Sequence, residues 1–329
     1  MSLRSSGAVL VAALVWPLVV EPSWLGRRVS VRRVLDHGAA GRPQFGDVVG
    51  DLAGLDAQTA VIDTASGLVE VPLATVALAR LAPPSTADEL ALEAIAAQGL
   101  RPAETEQLGG WLLRAHHGFT RRANSVLPLR QLGMPLDAAV DAAARWYAAR
   151  GLPLRIQVPV EARRLLDAEL GERGWPAEAY THLCVARLDR LPTADATDLP
   201  VTVDPLPDRD WLALYRGGAG LDAAARELLV RHDRVGFAGV RVDGRLVAVG
   251  RGAVDAGWVG VSAVEVTPGY RRRGLAHAVT LALCRWGAEH GATRSYLQVE
   301  ADNAAALALY EKLGYWIHHD YHYRSAPGS

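Results

Sequence analysis

Between Val264 and Ala276 the chain reads Val-Glu-Val-Thr-Pro-Gly-Tyr-Arg-Arg-Arg-Gly-Leu-Ala, and its hydrophobic period changes from strand alternation to helical spacing. Trp258 to Val266 has strand character, and Leu275, Val279, Ala282, Leu283 and Trp286 recur on one helical face that runs to His290. A strand that turns straight into an amphipathic helix must lay that helix against its own sheet, which restricts the region to layered folds of mixed strand and helix. The turn also carries chemistry. The first amides of a helix have no intrahelical acceptor and sit at the positive end of the helix dipole, so a pyrophosphate can bind there. Gly274 lets the backbone approach closely, Arg271, Arg272 and Arg273 add charge-assisted donors, and Ala276 after Leu275 leaves room where a larger side chain would block a ligand. An arginine run alone reads as a solvated turn; strand, turn, glycine, small residue and helix together predict phosphate binding.

The segments around this turn extend the pattern. Phe237 to Val242 and Leu246 to Val254 flank Asp243-Gly244, a strong hairpin signal, and beyond the helix come a strand at Tyr296 to Val299, a helix at Ala304 to Lys312 and a strand at Tyr315 to Tyr323. The region before Leu191 echoes this order. A helix over Leu136 to Arg150 carries Arg145-Trp146 as the later one carries Arg285-Trp286, Ile156-Gln157-Val158 parallels Leu297-Gln298-Val299, and Arg173-Gly174-Trp175 parallels Leu313-Gly314-Tyr315. One internal duplication accounts for all three matches. The earlier copy has Arg130-Gln131-Leu132-Gly133-Met134-Pro135 where the arginine turn should be and Leu170 where the later copy has Tyr310, so it is expected to have lost the phosphate site. Its Thr120-Arg121-Arg122-Ala123-Asn124-Ser125 cluster reads either as a substrate contact or as a solvated turn.

A chain of 329 residues accommodates these two halves and a small third domain. Short β-branched segments at Arg27 to Val34, Asp47 to Leu55, Thr59 to Thr64, Leu68 to Val71 and Val76 to Leu81 predict a five-stranded barrel, which resembles SH3-like barrels with a short helical turn at Val71 to Val76 before the last strand. Pro83-Pro84-Ser85 reads as a linker. The expected division is a leader of uncertain status at 1–24, the barrel at 25–82, the degenerate copy at 86–190 and the intact copy at 199–329. The fold class is α+β.

The motif Arg271-x-x-Gly274-x-Ala276, followed by Asn303-Ala-Ala-Ala-Leu-Ala-Leu-Tyr310-Glu-Lys-Leu-Gly-Tyr315, resembles the two signatures of the GNAT superfamily of N-acetyltransferases over about residues 233–323. The whole chain is similar to bacterial members with an SH3-like barrel ahead of two GNAT-like halves. The resemblance implies acetyl-CoA as co-substrate, pantetheine paired with the backbone of Val264 and Val266, Asn303 near the thioester arm, and Tyr310 as the acid that protonates the departing thiolate. The position of a glutamate base in some relatives is Gln298 here, which accepts no proton. Glu265, Glu300 and a water chain remain as alternatives. The expected function is acetyl transfer to a primary amine of a small molecule or peptide by direct attack, against the alternative of a non-catalytic acyl-CoA sensor or adaptor.

Composition sets the outer limits. With 50% hydrophobic and 22% charged residues the bulk of the chain is globular, and a net charge of -1 supplies no field for nucleic acid or an anionic membrane, so neither partner is expected. Cys184 and Cys284 lie far apart, which predicts no disulfide framework, no structural metal and a reducing cytoplasm. The apolar run Gly7 to Val20 is too short to span a bilayer and lacks an Ala-x-Ala cleavage pattern, so it reads as a dispensable leader or a buried strand. His318, Asp320 and His322 alternate as one face of a strand would, a polar wall rather than a metal site; His116-His117 is weaker still.

Overall fold

The computed structural model describes residues 20–37, 42–194, 197–218 and 221–327, and the chain divides into two compact units at Pro83/Pro84. The first unit holds β1 (Arg28–His37), β2 (Pro43–Leu55), β3 (Thr59–Thr64), β4 (Gly67–Pro72) and β5 (Val76–Leu81), joined as an antiparallel sheet in the order β4-β3-β2-β1-β5. The five expected strands are present, and a single 3-10 turn at Leu73–Thr75 precedes the last one. Val29, Val31, Leu52 and Ile62 form its core, and Val20, only 1% exposed, joins that core together with Trp24. The unit therefore begins ahead of residue 25, and part of the expected leader is core. Residues 1–19 lie outside the described residues.

The second unit opens with α1 (Thr86–Gln98), directly after the Pro83-Pro84-Ser85 linker and not among the elements expected from the sequence. Its signal is the capping box, in which Ser85 accepts from the Asp88 amide and Asp88 accepts in return. Then follow β6 (Glu104–Leu108), β7 (Trp111–Ala115), β8 (Leu127–Pro128), α2 (Leu136–Ala148), β9 (Arg155–Pro159), α3 (Arg164–Glu172) and β10 (Ala177–Arg187). The later half has β11 (Val201–Asp204), α4 (Arg209–Leu214), α5 (Ala223–Val230), β12 (Val235–Val242), β13 (Arg245–Asp255), β14 (Trp258–Val266), α6 (Leu275–Glu289), β15 (Arg294–Glu300), α7 (Ala304–Lys312) and β16 (Trp316–Ser325). Both halves run antiparallel strands, helix, parallel strand, helix, long final strand. The parallel step is Val126 beside Ile156 in one half and Trp258–Val261 beside Arg294–Leu297 in the other.

The halves do not close separately. The large sheet has the order β11-β12-β13-β14-β15-β10-β16-β9, so each half gives its last strand to the other. Thr181 to Arg187 of β10 run antiparallel to Glu300 to Arg294 of β15, and Tyr321 to Ser325 of β16 pair with Pro159 to Arg155 of β9. The expected boundary at 190/199 therefore falls within one continuous sheet. On one face α6 packs against β12 to β14 at a spacing only glycine allows: a Cβ on Gly250 would lie 2.5 Å from Val279 and one on Gly287 2.6 Å from Val259. The opposite face carries a second core in which Leu92 and Ala96 of α1 meet Leu183, Val185 and Tyr296.

The three polar residues of β16 do not form one wall. The β10 register passes from Leu183 opposite His319 to Cys184 opposite Ile317, so His318 is a bulged extra residue and the alternation breaks there. His318 and His319 share a hydrogen bond of 2.8 Å, Asp320 binds His182 at 2.7 Å and His322 binds Asp167 at 2.7 Å. No group of three metal-ligating side chains occurs among the described residues. Burial, and then the neighbouring His319, push His318 down to about 4. The unfolded ring titrates near 6.5, so the folded state binds fewer protons between these values. The contribution of His318 to stability is then expected to be flat above pH 6.5 and to fall by up to about 3 kcal/mol as pH drops toward 4. Denaturant unfolding of His318→Gln should show a shallower fall over that window; parallel curves would reject the assignment.

Candidate functional site

The sheet opens where β14 meets β15. Their parallel pairing ends at Val261 and Leu297, while β14 continues along β13 to Val266. Between Arg251/Ser262 and Val249/Glu265 the register slips by one residue, and Ala263 has φ 54, which marks a β-bulge. The bulge turns the end of β14 away from β15 and leaves a cleft of about 800 Å³ on the helix side of the sheet. Thr267 donates to Val247 across β13, so antiparallel alternation turns the amide and carbonyl of Val266 toward the open side. That carbonyl accepts from Arg271 Nε at 3.2 Å.

Gly274 begins α6 with φ 77 and offers no side chain to its first-turn amides. Uncapped donors lining the cleft and the adjacent Arg271 and Arg272 fit a pyrophosphate. Leu275 is buried and lines the cleft through its backbone end, with the small Ala276 beside it. Tyr310, half-buried on α7, lines the far wall and meets Tyr315 edge to face at 5.8 Å. Its hydroxyl forms no hydrogen bond with the described residues, and burial, with Cys184 and Cys284 adding to it, pushes its pKa up to about 12.

The cleft thus gathers Val264, Glu265, Val266, Arg271, Arg272, Gly274, Leu275, Ala276 and Tyr310. Three expected residues lie elsewhere: Glu300, which lines a second cavity, Arg273 and Asn303. The Arg273 guanidinium sits 5.1 Å from the Tyr270 ring centroid and does not line the cleft. Asn303 is the N-cap of α7, its Oδ1 accepting from Ala306 N at 3.1 Å, so it orients the helix that carries Tyr310. Tyr270, His277 and Lys312 line the cleft without having been expected; Lys312, the chain's single lysine, offered a compositional signal.

A second cavity lies on the other face of the sheet, lined by Ser262 and Ala263 of the bulge, Glu300, Tyr321 and Tyr323 of the strands, and Thr120, Arg121 and Arg122. Glu265 anchors this side by accepting from the Arg216 amide at 2.7 Å. The Thr120–Arg122 cluster is therefore a cavity wall, while Asn124 behind it knits the loop together through the His116 amide and the Phe119 and Thr120 carbonyls. His116 is structural: Nδ1 accepts from Ala103 N and Nε2 donates to Ala224 O. In the earlier half, the segment matching the arginine turn lies against Gly109 and Gly110 through the Arg130, Gln131 and Leu132 carbonyls, and its helix starts from Pro135, which has no amide proton.

A family model described as Probable histone acetyltransferase Rv0428c C-terminal matches residues 86–324. The probable histone acetyltransferase Rv0428c of Mycobacterium tuberculosis is 35% identical over 322 residues, covering 92% of this chain and 97% of that protein. An uncharacterized N-acetyltransferase of Bacillus subtilis, YobR, is 28% identical over 71% of this chain and 96% of its own length. A GCN5-related N-acetyltransferase from Kribbella flavida shares the fold at TM-score 0.59 and 21% identity, over 73% of this chain and 96% of that one. The chain belongs to the Rv0428c family of GNAT acetyltransferases, enzymes that take their acetyl group from acetyl-CoA.

Proposed function

We propose that the enzyme acetylates a primary amine by direct attack, with Tyr310 as acid and Glu265 or Glu300 as the route for the amine's proton. The observation that carries this reading is the parting of β14 from β15, which opens the sheet between a phosphate cradle on one face and a polar cavity on the other. Gly274, Leu275 and Ala276 present first-turn amides to the pyrophosphate, with Arg271 and Arg272 beside them. Val266, two residues beyond Val264, offers its backbone amide on the open side of β14 to the pantetheine arm. Acetyl-CoA, when bound, supplies an acyl carbon made electrophilic by its thioester. Tyr310, protonated throughout the neutral range because its pKa lies near 12, gives its proton to the departing sulfur. An amine is mostly protonated at pH 7 and must lose a proton before attack, which the carboxylate of Glu265 or Glu300 accepts. The catalytic region is 199–329, completed by strands of a non-binding copy at 86–190, and the unit ahead of Pro84 is an SH3-like module.

The test is CoA release with a panel of amine metabolites, aminoglycosides and lysine peptides, together with calorimetric titration of acetyl-CoA. One binding site per chain is expected, because the earlier copy has Pro135, which lacks an amide proton, at the start of its helix and Leu170 where the later copy has Tyr310. Gly274→Val, a β-branched residue in a left-handed conformation facing the ligand, should raise the acetyl-CoA Kd at least tenfold, about 1.4 kcal/mol. Unchanged affinity or two sites would overturn the cradle assignment, and saturable binding without CoA release to any amine would overturn amine acetylation.

A further inference from the structure

The cavity on the second face is built for an anion. Arg121, Arg122 and Arg216 line it against one carboxylate, Glu300, and none of the three guanidiniums is within ion-pair distance of a carboxylate among the described residues. Other arginines of this unit do pair: Arg101 with Asp233 and Asp255, Arg241 with Asp208 and Asp210, Arg324 with Asp167. Arg122 is the most enclosed of the three lining arginines, half-buried between the Tyr321 hydroxyl at 3.2 Å and the Gln298 carbonyl at 3.4 Å, and a guanidinium so placed gains most from an anion brought to it.

Hydroxyls point the same way. Thr120, Ser262 and Tyr323 line this cavity, and their hydroxyls are buried with no hydrogen-bond partner among the described residues; Tyr323 is 2% exposed. Buried hydroxyls without partners are costly to keep, and three on one cavity wall match a ligand rich in acceptors. The backbone is held there against its preference as well. Thr120 at φ 62, Ala179 at φ 53, Arg216 at φ 54 and Ala263 at φ 54 all line the cavity, and none is a glycine. For Thr120 the left-handed conformation is a true outlier, imposed by Asn124 Nδ2 donating to its carbonyl at 2.9 Å. Four strained non-glycine residues around one cavity mark a binding wall rather than a solvated turn.

We infer that this cavity seats the carboxylate of a small acidic amine, with Arg122 as its charge clamp and Thr120, Ser262 and Tyr323 as hydroxyl partners, so that the acceptor class is amino acids and related small acids. This rests on the acetyl-transfer reading above and narrows its acceptor. The volume, about 160 Å³, suits a group of a few heavy atoms and not a peptide backbone. A lysine ammonium in a basic protein would enter against three guanidiniums.

The test compares full-length enzyme on matched pairs: lysine with 1,5-diaminopentane, phenylalanine with 2-phenylethylamine, and a lysine-rich basic peptide. At least one acid should exceed its decarboxylated partner in kcat/KM by at least 100-fold. Arg122→Gln should shrink that ratio at least tenfold, mainly through KM, with Arg122→Lys recovering part of it and Thr120→Val, which keeps the arginine, also raising KM for the acid. A ratio near one, preference for the basic peptide, or equal loss on both partners would overturn the inference while leaving amine acetylation intact. Calorimetry with the same amino acids separates the two failures. Arg122-dependent binding without turnover would uphold the carboxylate site and overturn acetylation, and neither binding nor turnover would overturn the site.

Discussion

Tyr310→Phe is expected to lower kcat by about 100-fold while the acetyl-CoA Kd moves less than about threefold. The phenol carries the one group in the cleft whose proton burial holds firmly, with a pKa near 12. Its hydroxyl bonds to no described residue, so phenylalanine keeps both the ring packing on Tyr315 and the α7 contacts. The loss therefore appears where charge develops on the departing sulfur and not in binding. The pH profile gives an independent check. Because the active form is the protonated phenol, the wild type should show no alkaline decline until well above pH 10, and its rise with pH reflects only deprotonation of the amine and its base. An equal fall in kcat and affinity would make Tyr310 a packing residue, and a rate close to wild type would remove it from the reaction.

A chain cut to 199–329 is expected not to fold on its own, although it contains both signature segments. In the intact protein β16 pairs with β10 on one side and β9 on the other, and β15 pairs with β10 beyond its short parallel contact with β14. The cut removes every strand partner of β16, and with α1 and β10 it removes Leu92, Leu183 and Val185 from above Tyr296. Truncations of single large core side chains already cost about 2–5 kcal/mol each, and a whole domain is stable by only about 5–15 kcal/mol. Circular dichroism and sedimentation should report an unfolded or aggregated chain, rescued by coexpression with residues 84–198. A monomeric, folded 199–329 that binds acetyl-CoA would mean that β16 can turn back onto β15 and that the exchange of strands is dispensable.

What the sequence determined by itself is local. The turn Val264–Ala276 was legible because each of its parts acts over a few residues: alternation sets the strand, Gly274 supplies the left-handed helix entry, and the first-turn amides follow from helix geometry alone. The hairpin at Asp243-Gly244, the helix bearing Tyr310 and the repeated order of elements were readable for the same reason. Asn303 shows the limit within one motif, since its place before Ala304 was visible but its bond to the Ala306 amide depended on where its oxygen turned. Only the tertiary structure decided which strands sit side by side. Exchange of β10 and β16 between the halves turns on burial of faces that either register would satisfy locally, and no spacing in the chain records it. The second cavity follows from that exchange: it joins Thr120 and Arg122 to Ser262, Glu300 and Tyr323, residues up to two hundred positions apart that come together because the final strand of one half is seated in the sheet of the other.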